Sequence, residues 1–304
     1  MTVSRIKTGP LLWIAFVLSS GTASSGQTAQ VSALESLKSL RERADQGVAE
    51  AQFNLGRDYF LGIGVPADSS EAARWFRKAA DQGDAHAQFT LAQMYFEGKG
   101  VPKDFSESAR WHRKAADQGF ADAQSELGAM YKAGEGVTQD FTEAVRWYRK
   151  AADQGLAHAQ MNLGKLYFFG QGVPKDMAEA ARWYRKAADQ GDATAQFLLG
   201  LAYAMGRGEP RDLNEAARWK RMAADQGLAL AQFEVGILYS LGQGVPLDNV
   251  LAYMWMSLAS GGMEKGSDRA REIEITRNRL AAKMTPEQLT EGQRLAREWK
   301  PPGR

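Results

Sequence analysis

The chain contains no cysteine, which excludes disulfides, zinc fingers, iron–sulfur clusters and thiol catalysis together and leaves stability to packing. Histidine is scarce: His86, His112 and His158 are the full set. His86 and His158 share a position two periods apart in the repeat described below, too far for one metal ion, and His112 stands where other repeats carry Phe or Tyr. An excess of either charge is also missing. Lys and Arg number 38 against 36 Asp and Glu, so bulk charge implies no nucleic-acid partner. Catalytic motifs are absent: there is no His-Glu-x-x-His and no Gly-Lys-Ser/Thr, and Ser-x-x-Lys occurs only as Ser4-Arg5-Ile6-Lys7 near the start. No catalytic, cofactor-binding or metal-ligating residue is assigned, and the expected function is not enzymatic.

Long apolar runs are lacking too. Arg5 and Lys7 precede Leu11 to Leu18, and small residues follow from Ser19 to Ser25. That order matches a secretory signal peptide, and the apolar stretch falls short of the roughly 20 residues that span a bilayer. Residues 1–25 are therefore expected to be a leader, with export to the periplasm or the medium and no membrane span after its removal. Residues 26–31 read as a polar linker.

What the chain has in abundance is repetition. Ala-Asp-Gln-Gly begins at Ala44, Ala80, Ala116, Ala152, Ala188 and Ala224, always 36 residues apart. A fixed period of this size marks a repeat array, whose unbroken register suggests one elongated unit and a monomer. Stepping back one period from Asp68 and Glu71 reaches Ser32 and Glu35, a capping-box pattern that predicts an N-terminal half repeat over 32–47. Six full units occupy 48–263, and 264–304 remain as a C-terminal cap.

Each unit reads as two helices. In the first, helix A covers about Ala49 to Leu61 and stops at Gly62. The loop Gly62-Ile63-Gly64-Val65-Pro66 is a turn, and helix B starts at Asp68-Ser69-Ser70-Glu71, a cap repeated at Asp104, Asp140, Asp176 and Asp212. On a wheel of 100° per residue, Ala72, Trp75, Phe76, Ala79 and Ala80 share one arc while Glu71, Arg74, Arg77, Lys78 and Asp81 fill the rest. Glycine recurs inside helix A at Gly56, Gly128, Gly164, Gly200 and Gly236, with Ala92 in the second unit. Its cost in helix propensity implies close approach of another helix.

Ala-x-Ala-Gln-x-x-Leu-Gly, a tyrosine, Gly-x-Gly-Val-Pro-x-Asp and Glu-Ala-Ala-Arg-Trp-Tyr-Arg-Lys-Ala-Ala-Asp-Gln-Gly, at a period of 36, together resemble the Sel-one-like repeat, a relative of the tetratricopeptide repeat. The resemblance implies an all-α, right-handed solenoid of antiparallel helix pairs with helix A lining the concave surface. Some cysteine-rich relatives are linked to penicillin binding, an expectation this cysteine-free chain does not share. In the sixth unit the second helix keeps Trp255 but loses the Arg and Lys positions. Two tail helices, from Ser267 to Met284 and from Thr285 to about Trp299, are expected to seal it.

The repeated Trp75, Trp111, Trp147, Trp183, Trp219 and Trp255, and the matching tyrosines, read as core wedges rather than an aromatic ladder for ligands. The basic stripe of Arg74, Arg77, Lys78 and their equivalents reads as a salt-bridged outer face. Its rival reading is a surface for cell-wall glycan or another anionic polymer. The informative positions are those that vary between units on helix A. They are largely polar in the first three units and offer an apolar patch later: Phe169, Leu198, Leu201, Met205, Leu230, Ile237 and Leu241. Such a patch marks a site for a protein or peptide partner, unless the tail helices cover it.

Overall fold

The structure, a computed structural model, describes residues 26–301, with side chains from Ser36 onward. The leader expected over 1–25 lies outside the described residues. Among those described there are fifteen helices and no strand, so the fold is an all-α solenoid. Contacts divide the chain into two compact units, one up to Lys150 and one from Ala151, where the unbroken register suggests a single one. Stacked repeats touch only their neighbours, so no core spans the whole array.

The first unit runs α1 (Gly26–Asp45), α2 (Ala49–Leu61), α3 (Ser69–Asp81), α4 (Ala85–Glu97), α5 (Phe105–Asp117), α6 (Ala121–Ala133) and α7 (Phe141–Asp153), the boundary falling in the last turn of α7. Helix α1 departs from expectation. It begins at Gly26, so residues 26–31 are helix rather than linker, and Ser32 lies inside it rather than capping its start. Gln27, Ala29 and Gln30 are good helix formers and no proline intervenes, so nothing halts the helix at Ser32.

The regular helices follow the sequence closely. Helix α2 stops at Gly62, whose φ of 73° is left-handed. Asp68 caps α3 by accepting from the amides of Ser70 and Glu71 at 2.8 and 3.0 Å. The reciprocal half of the capping box is missing. The amide of Asp68 donates instead to the carbonyl of Tyr59 at 2.8 Å, which frees Glu71 to pair with Arg74 at 2.6 Å. The same substitution holds at Asp104, whose amide goes to Tyr95 while Glu107 pairs with Arg110.

The joints between repeats are polar, each pairing a buried glutamine with one at the surface. Gln88 donates to the carbonyl of Ala80 at 3.0 Å, and Gln118, one unit on, donates to the side-chain oxygen of Gln88 at 2.8 Å and to the carbonyl of Gly83 at 2.9 Å. Around that joint Ala79, Ala80, Leu91, Ala92 and Trp111 form one cluster. Deleting such a core aromatic costs about 3–5 kcal/mol.

The second unit runs α8 (Ala157–Phe169), α9 (Met177–Asp189), α10 (Ala193–Met205), α11 (Leu213–Asp225), α12 (Ala229–Leu241), α13 (Asn249–Gly261), α14 (Asp268–Ala281) and α15 (Pro286–Glu298). The tail caps form as the sequence suggests. Ser267 caps α14, and Thr285 with Gln288 makes a full capping box on α15. Both tail helices pack on α13. Helix α15 sets Leu295, Ala296 and Trp299 against the cluster of Trp255, the two indoles meeting edge-on at 5.9 Å. Helix α14 sets Ile273 and Leu280 against Phe233, Ala252 and Met256. The apolar faces that α13 exposes in place of the usual Arg and Lys are thereby sealed.

Candidate partner-binding face

The repeated aromatic residues are committed to the interior. Trp111, Trp147 and Trp255 are fully buried and Trp75, Trp183 and Trp219 nearly so. The indoles of Trp111 and Trp147 donate to Glu107 and Glu143 at 3.2 and 3.1 Å. The indole N–H groups of Trp183, Trp219 and Trp255 have no acceptor among the described residues, and Leu251 stands before Trp255 where the other units carry Glu. The tyrosine hydroxyls receive arginines from the preceding helix, Arg77 to Tyr95 and Arg221 to Tyr239 among them.

The basic stripe is paired. Arg110, Arg146, Arg182 and Arg218 each hold the glutamate three residues earlier at 2.7–2.9 Å. Lys78 and Lys114 lie over the rings of Trp75 and Trp111 at 3.7 and 3.9 Å. An Arg–Asp pair four residues apart occurs at Arg221 and Asp225, whereas Arg77 turns to Tyr95.

Among the described residues no group of three or more His, Cys, Asp or Glu is placed to hold a metal ion. His112 is fully buried against Phe89, and burial pushes its pKa down to about 3. Its Nδ1 has no partner among the described residues. The ring therefore stays neutral and acts as a packing group.

The seven apolar residues of the variable helix-A positions do not form one continuous patch. Phe169, Met205 and Leu241, the last residues of α8, α10 and α12, are 64 %, 51 % and 57 % exposed. Leu198 packs onto the core cluster of Leu199 and Tyr184. Ile237 joins the cluster of Phe233 that α14 covers with Ile273 and Leu280. Leu201 and Leu230 are half-buried. The tail thus takes one of the seven and leaves the row of helix ends uncovered. One member escaped the sequence reading: Leu247, 65 % exposed, with its Cβ 3.4 Å from where a side chain on Gly242 would begin, directly beyond Leu241. Its signal was present, since the other units carry Ala67, Lys103, Gln139, Lys175 and Arg211 there.

The second unit also holds an unusual buried residue. Each helix-A glycine is pressed by the side chain twenty positions later: a Cβ on Gly164 would stand 2.7 Å from the ring of Tyr184. In the fifth unit that side chain is Lys220. Its stem crosses Gly200, whose Cβ would lie 2.8 Å from Cγ, and its Nζ reaches Glu234 Oε2 on α12 at 2.8 Å. The lysine side chain is 4 % exposed and that of Glu234 37 %. A buried ammonium requires such a partner, because desolvating an unpaired charge is costly.

Comparison with known proteins places the repeat. The family model described as Sel1 repeat matches residues 49–84, 85–120, 121–156, 157–192, 193–228 and 229–260. Among solved structures, the chain is similar to a protective antigen present in uropathogenic Escherichia coli strains that displays an SLR fold. It is 36 % identical to that antigen over 86 % of this chain and 56 % of that one, with a TM-score of 0.75. It is also similar to a Sel1 repeat protein from Oxalobacter formigenes, 39 % identical over 71 % of this chain and 89 % of that one, with a TM-score of 0.65. The chain thus spans little more than half the length of the E. coli protein. No curated protein matches it. With six consecutive matched repeats over well more than half its length, the chain belongs to the Sel1 repeat family, α-solenoid scaffolds that generally mediate protein–protein interaction.

Proposed function

We propose that this chain is an exported scaffold that holds a protein or peptide partner on the helix-A side of its second unit. One observation carries the reading: three large apolar side chains, Phe169, Met205 and Leu241, stand exposed at one repeat position on successive A helices. Solvated apolar groups aligned in this way on a small protein surface mark an interaction site. The equivalent positions of the first unit are the half-buried Leu61 and the exposed Glu97 and Ala133. Export rests on the order of basic, apolar and small residues in 1–25, and suits the description of the E. coli relative as a protective antigen. The paired arginines of the outer stripe lend no support to polymer binding.

A photo-crosslinking residue at Met205 is expected to capture a protein in the exporting compartment, and the same residue at Glu97 to capture none. Leu201→Glu combined with Met205→Glu should abolish the capture at Leu241. Equal yields at Met205 and Glu97, or capture that survives the double substitution, would refute the reading. Fusion of residues 1–25 to a cytoplasmic reporter tests export, and a reporter that stays in the cytoplasm argues against it.

A further inference from the structure

Two cavities of about 260 Å³ occupy the same place in the repeat, one in each unit. In the first unit Leu37, Lys38 and Arg41 of α1 line it with Leu55 and Tyr59 of α2 and Val65 of the following loop. In the second, Ala217, Arg218 and Arg221 of α11 line it with Val235 and Tyr239 of α12 and Val245. Each residue of the second set lies five periods of 36 after its counterpart in the first. Both cavities therefore combine aliphatic walls with two basic groups and a tyrosine. A cavity of roughly 150 Å³ holds a benzene ring and drug-sized ligands fill about 300 Å³ or more, so the occupant is a group of one side chain's size.

The fifth unit shows what this place holds when the chain itself fills it. Its loop carries Glu209 where the other units carry Val65, Val101, Val137, Val173 and Val245. The Glu209 carboxylate accepts from Arg185, one period before Arg221, at 2.8 Å, and the same guanidinium donates to the hydroxyl of Tyr203, one period before Tyr239. Glu209 is thus a built-in carboxylate ligand of the arginine–tyrosine pair. Val245 supplies no such oxygen. Arg221 donates from Nε to Asp225 at 3.0 Å and from Nη1 to Tyr239 at 3.2 Å, and its Nη2 has no partner among the described residues. Tyr239 accepts from the arginine and so keeps its own O–H to donate. Arg218 is held by Glu215, so the local charges nearly balance and a single negative charge suits the place better than a phosphate dianion. The fifth unit has the same acids, Glu179 on Arg182 and Asp189 four residues after Arg185, and takes Glu209 nonetheless. In the first unit Lys38 and Arg41 are exposed and pair with no residue whose side chain is described.

We propose that the two cavities are binding sites for a carboxylate joined to one aliphatic group. The carboxylate is taken by Arg41 or Arg221 with the neighbouring tyrosine hydroxyl, and the aliphatic group lies against Leu55 and Val65 or against Val235 and Val245. Phe169, Met205 and Leu241 line neither cavity, so these sites are separate from the exposed row. The test titrates the full chain with N-acetyl-leucine and follows the methyl NMR signals of Leu55 and Val235, one in each cavity. Both should shift, and N-acetyl-leucinamide, which lacks the charge, should bind at least about tenfold more weakly. Val65→Glu should silence Leu55 alone and Val245→Glu should silence Val235 alone, each by supplying the residue that the fifth unit carries there. Conversely, Glu209→Val should open a third site, read at Leu199, one period before Val235. Isocaproate, the same tail without the amide, separates the sources: affinity equal to that of N-acetyl-leucine assigns a free acid, and affinity about tenfold lower assigns a peptide terminus. Equal binding of the amide, no shift with the acid, titrations that ignore the Val→Glu substitutions, or a silent Leu199 in Glu209→Val would overturn the proposal.

Discussion

The two units are built on the same backbone and differ in what hangs from it. In the first, helix A ends in Leu61, Glu97 and Ala133, and the side chains under its small residues are Phe76, His112 and Tyr148. In the second the ends are Phe169, Met205 and Leu241, and the underlying residues are Tyr184, Lys220 and Met256. Caps, joints and tryptophans are common to both, so stability is written in the repeated positions and recognition is free to diverge at the others. The one exception to glycine supports this division. Ala92 stands at the glycine position with His112 twenty residues later, and an imidazole is a smaller ring than that of Phe or Tyr.

The largest effect that would separate the units is expected at the buried pair. Glu234→Leu alone strands the Lys220 ammonium and should cost about 3 kcal/mol, the low end for a broken buried pair because Glu234 reaches solvent. Adding Lys220→Met should restore most of it. Urea melts of both variants check this, and a single substitution that costs no more than the double removes the pair from the second unit's stability.

Acid should act on the first unit. His112 has a folded pKa of about 3 against roughly 6.5 in the unfolded chain. The unfolded state gains a proton below pH 6.5 that the folded state refuses until about pH 3, so stability is full above 6.5 and falls as the pH drops between these values. By pH 4.5 the loss is roughly 2–3 kcal/mol at 1.36 kcal/mol per unit. His112→Tyr with Ala92→Gly, the pairing of the third and fourth units, should remove this share of the pH dependence in melts at pH 7.5 and 4.5.

Smaller effects sharpen what the units share. Gly164→Ala drives a methyl into Tyr184 and should destabilise by about 2 kcal/mol. Asp176→Ala removes a cap that accepts two amides at 2.9 Å and should cost about 1 kcal/mol. Smallest of all, Glu97→Met with Ala133→Leu transplants the apolar row into the first unit, with less than about 0.5 kcal/mol of change in stability. A photo-crosslinking residue at Leu61 of that variant should then capture the partner, and no capture there would show that the row alone does not confer recognition.

Much of this fold is legible in the sequence because the repeat supplies its own controls. Helix ends at Gly62 and Asp68 and the burial of Trp111 follow from local patterns repeated six times, and the tail cap at Thr285 and Pro286 from the same kind of local rule met once. Other features depend on distance in space and leave no local mark. The Glu71 side chain suits a capping box until one knows that the amide of Asp68 already donates to Tyr59. Leu198 and Ile237 look like surface until neighbouring helices are placed over them. Lys220 and Glu234 are each odd residues at their repeat positions, fourteen apart, and only packing shows that one answers the other. At Ser32 the local rule misleads, because a competent cap does not begin a helix when the residues before it are helical already.

The glutamine joints carry an implication for how such chains change in length. Gln118 meets Gln88 and the carbonyl of Gly83, and Gln226 meets Gln196 and the carbonyl of Gly191, in the same geometry. Because the connectors are interchangeable, a block of 36 residues can be duplicated or excised in frame and every severed amide finds an equivalent partner. An indel that is not a multiple of 36 residues leaves these joint amides unmatched. The gene can therefore lengthen or shorten its product in whole modules, gaining or losing one variable helix end each time, and new recognition rows can arise by copying before they diverge.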